Sequence, residues 1–101
     1  MRYYDNEAQA KSEIISILKP YYPTTVLTVA ERTPQNLGLR DVTYAARVKR
    51  HDLHPEKVIN DIYTIQKNSG TDRIEWVGTK LDFINDNETE YILIKTVVQN
   101  G

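Results

Sequence analysis

Two stretches of helical periodicity, each followed by two strand-like runs, divide the 101 residues into two αββ units of about fifty residues. In the first, Asn6 stands at a cap position with Gln9 three residues on, the spacing of a capping box. Ala10, Ile14, Ile17 and Leu18 recur at helical intervals until Pro20 stops the pattern, and Pro23 adds a second break. Tyr21 and Tyr22 therefore fall in a short linker packed against the helix end. In the second unit, Pro55 occupies a first-turn position, and Leu53 with Val58 has hydrophobic-staple spacing. Val58, Ile62 and Ile65 form the apolar stripe, flanked by Ile59 and Tyr63, and Asn68-Ser69-Gly70 ends it.

The strands follow from the opposite periodicity. Residues Thr24 to Arg32 are rich in Thr and Val, with Leu27 and Val29 on the more apolar face. Pro34, Asn36 and Gly38 mark a loop, after which Val42, Tyr44, Ala46 and Val48 alternate with Thr43, Ala45, Arg47 and Lys49. That pattern predicts a half-buried strand whose second face is polar and basic. Arg73 to Ile84 and Thr89 to Gln99 read as the arms of a hairpin turning through Asn85-Asp86-Asn87-Glu88.

The order αββαββ is what a circular permutation of the βαββαβ ferredoxin-like arrangement yields. It predicts one α+β domain over residues 1–101, a four-stranded, mainly antiparallel sheet with two helices on one face. The second and fourth strands are then central. Tyr91-Ile92-Leu93-Ile94 is the most continuously apolar strand segment, as a central strand requires. The expected core comprises Ile14, Leu18, Leu27, Val29, Tyr44, Val48, Ile62, Leu81, Ile92 and Ile94.

Composition narrows the function classes. Hydrophobic residues at 40% and charged residues at 27% are ordinary globular usage, so neither disorder nor a fibrous repeat is expected. No apolar run approaches the roughly 20 residues of a membrane helix. The opening MRYYDNEAQAK lacks a signal-peptide core, which predicts a soluble, cytoplasmic protein without membrane partners. With no cysteine there is no disulfide, thiol nucleophile or thiolate metal site.

Catalytic and metal constellations are thin. His51 and His54 flank Asp52 ahead of Glu56, but no third imidazole exists to complete a zinc set. Asp82, Asp86, Glu88 and Glu90 crowd the final hairpin, where a solvated tip is the simpler reading than acid–base or calcium chemistry. Ser12, Ser16 and Ser69 lack a nucleophile elbow, and there is no Gly-rich phosphate loop. The expectation is a protein that is not an enzyme and carries no cofactor.

Charge placement says more than the net charge of −1. Residues 32–50 carry net +4, from Arg32, Arg40, Arg47, Lys49 and Arg50 against Asp41. Residues 72–90 carry net −4. Such bipolarity either reflects solvated faces or orients a partner or a second copy.

Two helices on one side leave the other sheet face open, and there the search for function concentrates. With Asn85 opposite Glu88, Leu81 faces Ile92 and Thr79 faces Ile94 toward the helices, extended by Val77 and Val98. The open face then carries Ile74, Trp76, Tyr91, Leu93 and Val97, with Lys80 and Lys95 among them and Thr43, Ala45, Arg47 and Lys49 alongside. A bulge at Gly78 would instead send Ile74 and Trp76 to the core.

Arg47, Lys49, Trp76, Tyr91, Leu93 and Val97 are therefore the candidate partner-binding residues. They suit a protein interface, a homodimer in the simplest case. The alternative is a single-stranded nucleic acid stacked on aromatics and held by Arg and Lys. That alternative lacks an RNP-type sequence and sits poorly with a pI near 6.1. A small adaptor, a regulator, an inhibitor, or an assembly factor of phage or mobile-element origin would all present such a sequence.

Overall fold

The computed structural model describes residues 3–33, 38–50, 55–84 and 87–99. The element order is α1 (Glu7–Leu18), β1 (Val26–Arg32), β2 (Leu39–Arg50), α2 (Pro55–Ser69), β3 (Ile74–Ile84) and β4 (Asn87–Gln99). The α+β architecture is as expected. The strands form one sheet in the order β1-β2-β4-β3 with every neighbouring pair antiparallel, which is the order the permuted arrangement requires.

Helix α1 starts as its residues dictate. The Asn6 side chain accepts the Gln9 backbone N–H at 2.8 Å, and the Gln9 amide oxygen accepts the Asp5 N–H at 2.8 Å. The reciprocal bond thus lands one residue before the cap. Asn6→Ala is expected to cost about 1 kcal/mol by orphaning the Gln9 N–H, visible as a lower urea midpoint.

The β3–β4 hairpin pairs Ile84 with Asn87, so its connection is Asn85-Asp86 and the expected register slips by two residues. A slip of two preserves faces, and Thr79 still stands opposite a helix-side residue, now Ile92. The larger change lies at Gly78. The register passes from Trp76↔Ile94 to Gly78↔Leu93, leaving Val77 as an extra bulged residue. Gly78 adopts φ 155°, backbone that a Cβ disfavours. Ile74 and Trp76 consequently turn to the helix side and are buried, while Val77 emerges 55% exposed. The placement of Ile74 and Trp76 on the open face and of Val77 beneath the helices is therefore corrected.

One continuous cluster fills the space between sheet and helices. Ala10, Ile14 and Leu18 come from α1, Ile62 and Ile65 from α2, and Val42, Tyr44, Ala46, Val48, Ile92, Ile94 and Val98 from the central strands. Leu27 and Val29 pack at its margin. Among the expected core residues, only the Leu81 side chain lies outside the described residues.

The structure adds a contact that periodicity does not reveal. Tyr4 forms a parallel bridge with Val98, its N–H donating to the Val97 carbonyl at 2.9 Å and its carbonyl accepting from Gln99 at 2.8 Å. It sits beside β4 beyond the last β3 pairing, and its ring lies fully buried 4.4 Å beneath the Arg73 guanidinium. Arg73 also holds Glu13 at 2.8 Å, tying the start of β3 to α1.

The candidate interaction face

On the side away from the helices, β2 presents Asp41, Thr43, Ala45 and Arg47, and β4 presents Tyr91, Leu93, Lys95 and Val97. Because β2 and β4 are central, these residues form the middle of the face. Tyr91, Leu93, Val97 and Arg47 are half-buried by their cross-strand neighbours. Lys80, Val77 and Glu75 flank them on β3, with Thr28, Ala30 and Glu31 on β1, all exposed.

Register sets these residues in rows. Arg47, Tyr91 and Lys80 stand abreast, followed by Ala45, Leu93 and Gly78, then Thr43, Lys95 and Glu75, and finally Asp41 with Val97. Leu93 lines two depressions. One, of about 300 Å³, runs between Glu31, Thr43, Val77 and Lys95, and the other lies between Thr28, Ala45, Lys80 and Tyr91.

Four of the six candidate residues, Arg47, Tyr91, Leu93 and Val97, thus share one face. Trp76 does not join them, for the reason given by the Gly78 bulge. Lys49 stands opposite Glu90 after a second bulge between Arg47 and Lys49, and its side chain lies outside the described residues. Missing from the candidates was Val77, which the bulge brings out beside Leu93. An in-strand glycine was the signal for it.

The bipolar charge pattern is partly internal to the fold. Arg32 and Arg40 both reach Glu7 of α1, at 3.0 and 3.1 Å. Two of the five cations in the basic stretch therefore share one helix carboxylate, which offsets half of their charge. Glu90, expected at a solvated hairpin tip, is fully buried on the helix side. Asp86, His51 and His54 lie outside the described residues, as do the side chains of Asp82 and Glu88.

The displaced titrations all sit beneath the helices. Burial pushes the Tyr44 phenol up to about 12, with Glu7 adding to the rise and Arg32 and Arg40 opposing it. Burial raises Tyr22 further, helped by Asp61, whose carboxylate accepts its hydroxyl at 2.5 Å. Tyr4 is raised by burial and then by Glu13. Each of these phenols is held in its protonated form. Among the described residues, no three His, Asp or Glu side chains gather where they could hold a metal ion. No helix of the described residues is long and apolar enough to cross a membrane.

No protein-family model, curated protein or solved structure matches the chain.

Proposed function

We propose that this chain is a non-enzymatic protein-interaction module that associates through the open face of its sheet, most simply with a second copy. An adaptor, regulator, inhibitor or assembly factor, of phage or mobile-element origin among other sources, fits that role. The absence of cysteine agrees with a cytoplasmic setting. The observation that carries the reading is the Tyr91–Leu93–Val97 strip at the centre of the sheet, widened by the exposed Val77. An apolar strip interrupted by Lys95 and bordered by further charges is the mixed composition of an interface.

The nature of those charges favours a protein partner over nucleic acid. Arg47, Lys80 and Lys95 share the face with Glu31, Asp41 and Glu75, so its described charges balance. With Trp76 in the core, Tyr91 is the one aromatic among the described open-face residues, where base stacking works through several.

Two substitutions test the reading. Leu93→Asp places a carboxylate in the desolvated centre and is expected to weaken association at least about tenfold. Arg47→Ala is expected to change mainly on-rate and salt response. Sedimentation and binding measured at low and high salt decide the outcome. The reading fails if Leu93→Asp leaves association intact. It also fails if Arg47→Ala dominates, affinity falls steeply with salt and nucleic acid copurifies.

A further inference from the structure

The open face is charged in a fixed order along its strands. Its Arg47–Tyr91–Lys80 row lies at one end, while Asp41, Glu31 and Glu75 lie toward the other. Between them lie Ala45 and Leu93, while Thr43 and Lys95 share the row of Glu31 and Glu75, so the acidic end carries three carboxylates against one ammonium. On β2 alone, Arg47 and Asp41 are separated by roughly 20 Å of strand. An isologous dimer must place this surface on itself, and only certain two-fold axes bring unlike charges together.

Resting on the open face as the association surface, we propose that two copies pack sheet to sheet about a two-fold axis running across the strands near the level of Tyr44. Arg47 of each protomer then meets Asp41 of the other.

That axis reverses strand direction while keeping each strand over its counterpart. Arg47 comes over Asp41 at both ends of β2, and the Lys80 end of β3 comes toward the Glu75 end of the partner strand. On β4, Tyr91 covers Val97 in the outer rows, and Leu93 meets the aliphatic stem of Lys95 in the inner ones. The competing axis, parallel to the strands, lays β1 over β3 and β2 over β4 without reversing the rows. It sets Glu31 against Glu75 and gathers Arg47 and Lys80 of both copies at one end. Like charges brought together in this way oppose that arrangement.

Size agrees with this pairing. Four strands at about 4.8 Å span roughly 19 Å, and the 12 residues of β2 run about 40 Å. With β1 only 7 residues long and β3 11, the outline is on the order of 700 Å², a little under the roughly 800 Å² that each partner buries in a standard interface. Aligned sheets packed about 10 Å apart leave room for the interdigitated side chains.

The test is a charge exchange followed by sedimentation velocity over a concentration series, with circular dichroism to verify folding of each variant. Arg47→Asp and Asp41→Arg are each expected to weaken the wild-type dimer about tenfold or more, because each leaves two like-charge contacts. The double variant, which restores both contacts with signs reversed, is expected to return to within about threefold of wild type. A double variant as weak as the singles overturns the proposed axis. Val77→Asp separates that failure from failure of the face. If it weakens the dimer while the double variant stays weak, the face stands and the axis falls. If neither Val77→Asp nor Leu93→Asp affects the dimer, the face itself is wrong. A wild type that stays monomeric at millimolar concentration overturns self-pairing and leaves the face to partners of other sequence.

Discussion

Trp76→Ala is expected to cost about 3–5 kcal/mol, the range for removing a large aromatic from a packed interior. Trp76 stands opposite Ile94 on the central strand and is only 9% exposed within the core cluster. Its neighbour Val77, displaced to the other face by the bulge, should lose under about 1 kcal/mol on truncation to alanine, as a surface position does. The contrast between adjacent residues is the signature of the bulge. Had the strand run without it, Trp76 would face the solvent side and Val77 the helices, and the two costs would invert. The indole N–H has no hydrogen-bond partner among the described residues. Trp76→Phe therefore removes an unsatisfied donor together with some packing and should cost much less than Trp76→Ala. Urea unfolding followed by circular dichroism measures all three. Near-equal losses at Trp76 and Val77 would refute this register.

The residues that were legible in the sequence are those whose environment repeats. Val42 to Val48 alternate because one face of β2 is covered by helices, and the apolar Tyr91-Ile92-Leu93-Ile94 segment is central, where neighbouring strands on both sides half-bury even its open-face residues. The cap at Asn6 is a local bond between residues three apart, so local sequence contains it. Singular events were not legible. Both Asn85-Asp86 and Asp86-Asn87 satisfy the chemistry of a tight turn, so nothing local chose between registers two residues apart. Gly78 signalled a bulge, yet only pairing with β4 decides which residues it turns over. Tyr4 joins the sheet through a single bridge, too short to leave a period. Arg32 and Arg40 find Glu7 across more than twenty residues of chain, so a count of charges along a segment mistook a helix-to-sheet tie for free surface charge.

Stability is expected to collapse above pH 10, faster than in a protein of similar size without buried phenols. Tyr44 titrates near 10.0 when unfolded and is pushed up to about 12 in the fold, first by burial and then by Glu7. Tyr22 and Tyr4 are raised further, again mainly by burial, with Asp61 and Glu13 as the next causes. Above pH 10 the unfolded chain gives up protons that the folded chain retains. It then binds fewer protons than the native state, and stability falls as pH rises. Below pH 10 both states are protonated and the contribution is fully present. For Tyr44 the loss is complete once the pH passes about 12. Each such phenol contributes a slope of about 1.4 kcal/mol per pH unit, and three together about 4. A domain of ordinary stability, about 5–15 kcal/mol, does not survive a few units of that slope. Circular dichroism and tyrosinate absorbance recorded together from pH 9 to 12.5 provide the check. Part of the tyrosinate signal should appear only as the ellipticity is lost. Tyr44→Phe should be close to neutral at pH 7, since the Tyr44 hydroxyl has no hydrogen-bond partner among the described residues. Above pH 10 it should shift the transition upward and remove about a third of the slope. Complete ionisation of all seven tyrosines with the ellipticity unchanged would mean that the helices do not seal the face of the sheet on which Tyr44 lies.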